Sequence, residues 1–261
     1  LKTVPSSNGT YHHSPIGSPM AQRYFIDSPP DNDQVTISDR EAHHLLHVMR
    51  AEVGQQVILF DGQGNEFTAE IQALKKNSVE LLIRDRQAID RELPTRLTVA
   101  VALPKGDRQK WLVEKLVELG TSALIPLITQ RGVAQPVPQA LVRLQRTVVE
   151  ASKQCGRNQL MQVQSPQTVD QCITQTSDYD RRIFAHLQED PAARSIDQHC
   201  TGLPANGLVL AVGPEGGWTV EEAEQFLSAG WSAASLGSRV LRIETAALAL
   251  VARCVLQDPW L

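Results

Sequence analysis

At 261 residues the chain has room for one large or two modest domains, and its mix of apolar and charged residues is that of a globular protein able to bury a core. No run reaches the roughly 18 uninterrupted apolar residues of a membrane span, and the N-terminus lacks the charged-then-apolar layout of a secretory leader, so a cytoplasmic protein is expected. The net charge of −4 argues against a uniformly basic nucleic-acid binder, yet residues 91–158 carry 11 basic and 5 acidic side chains, a local excess that suits an anion-binding surface as well as solvated helix faces.

Residues 1–19, rich in Ser, Pro, Gly and His, show no apolar periodicity and read as a tail or expression remnant ahead of Met20, with no function assigned. From Arg23 onward alternation predicts short strands at Tyr24–Ile26, Val35–Ile37, Gln56–Phe60, Glu66–Leu74 and Val79–Ile83, with Asp61–Asn65 as a turn. Ser38 followed by Glu41 predicts a capping box that opens an amphipathic helix through Met49. On that helix His43 and His47 share a face at a spacing metal sites use, but the hydrolase pattern needs Glu where His44 stands, so surface histidines are expected and no metal site. Several short strands around one helix predict a small barrel-like domain over residues 20–90. The cysteines, Cys155, Cys172, Cys200 and Cys254, are scattered without a C-x-x-C pair, so neither a disulfide framework nor a zinc knuckle is expected.

The charged stretch Arg86–Pro94 reads as a connection, with the linker proper at 91–95. Beyond it the period changes. A continuous apolar run at Leu97–Leu103, a helix over Asp107–Leu119 and a second run at Ala123–Ile128 predict β-α-β and a buried parallel sheet, opening an α/β domain over 96–261. A helix from about Gln139 to Cys155 follows, then strands Ile183–Leu187 and Leu208–Val212, a helix from Thr219 capped by Glu222, a strand at Ala233–Leu236 and a last helix from Glu244 to Leu256.

Two loops carry the candidate chemistry. Gly213-Pro214-Glu215-Gly216-Gly217-Trp218 follows a buried strand, where open α/β sheets place their ligands, although glycine-rich turns are also common as simple connections. The second loop, Leu236-Gly237-Ser238-Arg239-Val240-Leu241-Arg242-Ile243-Glu244-Thr245, places Arg239 and Arg242 where they could meet anions or polar ligand atoms, and Glu244 with Thr245 at a helix N-terminus. Neither a phosphate loop, nor a dinucleotide fingerprint after the first buried strand, nor a G-x-S-x-G elbow occurs, which removes support for nucleotide hydrolases, Rossmann oxidoreductases and α/β hydrolases.

Gly213-Pro214-Glu215-Gly216-Gly217 followed by Leu236-Gly237 and Arg239-Val240-Leu241-Arg242-Ile243-Glu244-Thr245-Ala246 resembles the RsmE family of 16S ribosomal RNA uridine N3 methyltransferases, within the SPOUT or trefoil-knot superfamily. The likeness extends to Lys105-Gly106-Asp107, Glu114 to Gly120, Gln130-Arg131-Gly132, Ala151 to Arg157, Arg23-Tyr24-Phe25, His43-His44-Leu45 and Val48-Met49-Arg50, and so covers the chain from Met20 onward; Ile243 departs from the usual pattern. The resemblance implies a PUA-like β-barrel followed by a knotted α/β domain, a homodimer, and S-adenosylmethionine held in the knot loops. The implied cofactor-facing residues are Leu187, Gly213, Glu215, Gly216, Leu236, Leu241 and Thr245. Uridine N3 must lose a proton before it can attack a methyl group, and the anion spreads onto O2 and O4. Arg242 is the expected cation for that charge, and Glu215 and Glu244 are the expected proton acceptors. Arg23, Arg50, Arg131, Lys153 and Arg157 are expected to grip 16S ribosomal RNA or the small ribosomal subunit. Ribose 2′-O methylation and a non-catalytic RNA-binding module are the alternatives.

Overall fold

The computed structural model describes residues 22–27, 29–30, 32–134, 137–187, 193–199 and 202–256, so the expected tail at 1–19 and Cys200 lie outside the described residues. Five strands form the first sheet: β1 (Arg23–Phe25), β2 (Gln34–Ser38), β3 (Gln56–Phe60), β4 (Asn65–Leu74) and β5 (Ser78–Ala88), in the order β1-β3-β4-β5-β2. Its apolar face buries Tyr24, Leu45, Val57, Leu59, Ile71, Val79 and Leu81. β1 and β2 are the two edges and do not pair, so the expected barrel is a half-barrel. β5 runs five residues past the predicted Ile83, into the start of the charged stretch. Arg86, expected in the connection, is a strand residue whose guanidinium donates to the carbonyls of Pro30 (3.0 Å) and Asn32 (2.7 Å).

α1 (Asp39–His43) continues into a π-helical turn over His44–Val48. The predicted capping box is not formed. Ser38 Oγ donates to Asp39 Oδ2 at 3.0 Å instead of accepting from the helix, and Glu41 accepts from Lys153 Nζ at 3.0 Å. A buried ammonium is the stronger claimant for a carboxylate than an exposed backbone N–H.

The second sheet is parallel, in the order β11-β13-β10-β12-β6-β7-β8, with β9 pairing off β7. Its strands are β6 (Leu97–Val101), β7 (Ala123–Ile128), β8 (Gln162–Val163), β9 (Gln167–Thr168), β10 (Arg181–Ala185), β11 (Arg194–Ser195), β12 (Leu208–Val212) and β13 (Ser232–Ser235). β6 and β12 are buried along their whole length because helices cover both faces, which is why they read as unbroken apolar runs. Leu97, Val99, Val101, Leu208, Leu210 and Val212 face a core shared with α2 (Arg108–Glu118), α3 (Pro138–Cys155) and α6 (Ile243–Val255). Ala100, Val209 and Ala211 face the opposite core, under α4 (Val169–Gln175) and α5 (Val220–Ser228). No helix among the described residues is long and apolar enough to cross a membrane.

The two sheets meet at the end of α3, where Gly156 takes a left-handed φ of 81° and turns the chain toward β1. Arg23 donates to Glu66 Oε2 at 2.6 Å and to the Asn158 side chain, and Arg91 reaches both Glu66 (3.0 Å) and the Gly156 carbonyl (2.9 Å). Burial pushes the Glu66 carboxyl up, but the hydrogen bonds and charges of Arg23 and Arg91 outweigh it and hold the group below the usual carboxylate range. A folded-state value below the unfolded one stabilises the protein above the ordinary value of 4.5, and that stabilisation fades as pH falls through the lower folded value. Glu66→Gln is therefore expected to melt lower than wild type at neutral pH and to lose less on acidification; parallel melting curves against pH would show that the cluster contributes nothing.

Candidate cofactor cleft

The loops that follow β10, β12 and β13, three adjacent strands, converge at the carboxyl edge of the parallel sheet. They enclose a cleft of about 280 Å³, just under the roughly 300–1,000 Å³ of typical small-molecule sites.

The glycine loop after β12 is held from beneath and from one side. Trp218 donates from Nε1 to the Ala185 carbonyl at 2.9 Å and packs edge-on against Phe226. Its ring lies so close under Gly213 that a Cβ there would come within 2.9 Å of it. Arg131 donates from Nη1 to the carbonyls of Gly216 (3.0 Å) and Trp218 (3.1 Å), and a Cβ at Gly216 would lie 3.2 Å from the Arg131 Cβ. Close approach rather than a positive φ is thus what calls for glycine, strictly at Gly213 and less tightly at Gly216, where the Arg131 side chain would have to give way by a few tenths of an ångström. The loop then enters α5 through the predicted capping box. Thr219 Oγ1 accepts from the Glu222 N–H (3.2 Å), the Thr219 N–H donates to Glu222 Oε2 (2.9 Å), and the free Glu222 Oε1 accepts from the Gln130 N–H (2.8 Å). That last bond ties the loop after β7 to the same corner.

The second loop leaves β13 through Gly237, whose φ of 108° only glycine adopts readily, and ends at Arg242, the N-cap of α6. Of the residues expected to face the cofactor, Leu187, Gly213, Glu215, Gly216, Leu236 and Leu241 line the cleft. Thr245 does not; it is exposed, in the first turn of α6. Arg242 is exposed outside the cleft lining, and Glu244 is buried below it with its carboxylate 3.5 Å from Arg108 Nη1. Only Glu215, among the three expected catalytic side chains, is on the cleft wall of a single chain.

Sequence reasoning missed His186, Val240, Trp218 as the floor under Gly213, and Arg108. His186 lines the cleft and accepts the Leu187 N–H on Nδ1 at 2.8 Å. The wall is mostly apolar, with Val212, Leu236, Leu241, Ile243 and Ala246 beside exposed loop backbone. That chemistry fits a nucleoside joined to a short amino-acid chain, with aliphatic surface for the flat base and backbone groups for its polar edges. Among the described residues no group of three or more His, Cys, Asp or Glu side chains converges as metal ligands would.

The expected RNA-gripping residues divide. Arg50 is exposed, in a left-handed conformation (φ 51°) unusual for a side-chain-bearing residue. Arg131 is exposed but has its guanidinium on the glycine loop. Arg23, Lys153 and Arg157 do not fit the expectation. Arg23 faces Glu66 and Asn158, Lys153 faces Glu41, and Arg157, 5% exposed, holds Glu92 and the carbonyls of Val117 and Thr121. Their charges are neutralised inside the protein, where phosphate cannot reach.

The sequence matches the family described as the RNA methyltransferase domain over residues 91–255, and that described as the RNA methyltransferase PUA domain over 37–84. It is 31% identical over 238 residues to the ribosomal RNA small subunit methyltransferase E of Bacillus subtilis (strain 168), covering 87% of this chain and 93% of the relative. To the protein of the same name from Synechocystis it is 34% identical over 215 residues, covering 81% and 69%. Among solved structures, ribosomal RNA small subunit methyltransferase E from Neisseria gonorrhoeae bound to S-adenosyl methionine superposes with a TM-score of 0.79 at 31% identity, covering 89% of this chain and 95% of that one. A putative methyltransferase from Legionella pneumophila with the same cofactor bound gives 0.81 at 30% identity, covering 91% and 97%. With the half-barrel, the parallel sheet and the paired loops in place, this chain belongs to the ribosomal RNA small subunit methyltransferase E family.

Proposed function

We propose that the protein transfers a methyl group from S-adenosylmethionine to N3 of a uridine in 16S ribosomal RNA. The observation that carries this reading is the cleft at the ends of β10, β12 and β13, apolar on its walls and rimmed by loop backbone, in a chain whose relatives are crystallised with that cofactor. When bound, the cofactor supplies an electrophilic methyl group. The chain's part is to hold donor and acceptor in line, take the N3 proton and balance the charge that then spreads over the base. Glu215 on the cleft wall is the nearer proton acceptor, with Glu244 buried at the start of α6, and Arg242, exposed beside the lining residues Leu241 and Ile243, is the cation assigned to the charge on the base.

In this proposal the boundary between the RNA-binding part and the methyltransferase part falls at 91–95, and the protein acts in the cytoplasm. The order that sets β12 between β10 and β6, with α6 folded back onto the core of β6 and β12, supports a trefoil knot. Val240, 80% exposed on the cleft rim, supports a homodimer in which a second protomer covers it. RNA is gripped by exposed Arg50 beside the π-helical turn, together with the outer face of α3 at Arg143 and Arg146. Phosphate contacts there make binding fall with salt.

Incubating small subunits or naked 16S RNA with protein and cofactor, then mapping modified nucleosides by mass spectrometry, tests the reaction. N3-methyluridine is expected; a 2′-O-methyl product or no product would overturn it. Gly216→Val tests the site. The added methyls meet Arg131 and displace it from the loop carbonyls, so cofactor affinity measured by calorimetry is expected to drop roughly tenfold or more in a protein that still melts cooperatively. Unchanged affinity would place the cofactor elsewhere.

A further inference from the structure

Arg108 stands at the start of α2, which follows β6, the strand directly beside β12. Its guanidinium lies between two carboxylates from different loops: Nη2 is 3.3 Å from Glu215 Oε1 in the glycine loop, and Nη1 is 3.5 Å from Glu244 Oε2 in the first turn of α6. The Glu244 side chain is 8% exposed, and those of Glu215 and Arg108 are 40% and 37% exposed. Glu244 sits in the first turn of α6, where the helix dipole favours negative charge, and Arg108 is the guanidinium beside it. The fork of a guanidinium can address two acceptors in different directions, which the point charge of a lysine cannot do with fixed geometry. One side chain rooted on a third element thus connects the two loops that bound the cleft.

We propose that Arg108 is a positioning residue that ties the glycine loop to the start of α6 and so fixes the width and the charge of the cofactor cleft. This rests on the cofactor reading above and deepens it. Losing Arg108 leaves both loop sequences intact but frees their spacing, so cofactor binding weakens, and the loss is shared with Glu215 because both residues act through one contact. Half-exposed ion pairs contribute modestly, and the expected loss in affinity is about five- to tenfold.

Calorimetry with S-adenosylmethionine on wild type, Arg108→Ala, Arg108→Lys, Glu215→Gln, the Arg108→Ala/Glu215→Gln double variant and Gly216→Val tests it, with melting curves alongside. Arg108→Ala is expected to weaken binding, Arg108→Lys to restore part of it, and the double variant to lose less than the two single losses combined. Should the alanine variant fail to fold, Arg108→Gln carries the same comparison. Wild-type affinity in the Arg108 variants, or strictly additive losses in the double variant, would overturn the clamp. If Gly216→Val weakens binding and Arg108→Ala does not, the clamp alone fails; if neither does while wild type binds, the cofactor site itself is wrong.

Discussion

Arg157→Ala is expected to destabilise the protein by about 3–5 kcal/mol, the penalty for removing one partner of a buried ion pair. The Arg157 guanidinium uses both ends. Nε (3.0 Å) and Nη2 face the two oxygens of Glu92, while Nη1 donates at 2.9 Å to both the Val117 carbonyl at the end of α2 and the Thr121 carbonyl that follows. Truncation leaves Glu92, 14% exposed, without its counter-charge, and removes the side-chain donor from the Thr121 carbonyl, while the Val117 carbonyl keeps the Gly120 N–H. For a chain of this size the melting temperature should fall by about 10 °C. Arg157→Lys should recover only part, since an ammonium cannot span the carboxylate and both carbonyls. RNA affinity of the folded fraction, and its slope with salt, should stay near wild type. A variant that melts normally but binds RNA more weakly, with a shallower salt slope, would return Arg157 to the RNA surface.

That contrast shows where sequence reading runs out. Arg157 follows a helix in the basic stretch and looks like a phosphate ligand, but its partners lie 36 to 65 residues away in sequence and only the fold brings them near. Arg108 is the same case, with partners 107 and 136 residues away. What was legible rests on local chemistry. The apolar runs of β6, β7 and β12 announced a covered parallel sheet, and the Thr219–Glu222 box formed because the distant partner Gln130 takes only Oε1 of Glu222 and leaves Oε2 to the Thr219 N–H. Its counterpart at Ser38–Glu41 failed because a buried lysine took the glutamate. The two-residue strands β8, β9 and β11 and the seven-residue α4 are too short to carry a period, and α4 went unpredicted despite the capping box at Thr168 and Gln171. The cleft was legible as two loops, because glycine spacing marks close approach. Thr245, expected from the resemblance to face the cofactor, is exposed and outside the cleft lining of a single chain.

Arg242→Ala is expected to slow methyl transfer by about 10²–10³ while cofactor affinity stays near wild type, the pattern of a donor that acts only on charge developing in the transition state. The backbone supports a clean substitution. Arg242 caps α6 through its main chain, in an extended conformation (φ −66°, ψ 156°) that alanine also adopts, and its carbonyl accepts the Ala246 N–H at 2.8 Å. The helix start therefore survives loss of the side chain. Raising pH should partly rescue the variant, since a base that deprotonates more readily in solution depends less on the guanidinium. Within one chain Arg242 stands outside the cleft lining, so in the proposed homodimer it can serve the neighbouring protomer's cleft as readily as its own. Mixing Arg242→Ala protomers with Gly216→Val protomers separates the two cases. If Arg242 acts across the interface, the Arg242→Ala protomer of each hybrid dimer keeps an intact cleft and receives the arginine of its Gly216→Val partner, so one site per hybrid is complete and activity returns. If it acts in its own chain, one cleft of each hybrid lacks its arginine and the other has the damaged loop, so activity stays absent; the double variant mixed with wild type reverses the pattern, since across the interface the wild-type cleft of each hybrid loses its arginine, whereas in the same chain the wild-type site keeps working. A variant that instead loses cofactor affinity yet transfers methyl at the normal rate when saturated would show that Arg242 holds the loop and has no part in the chemistry.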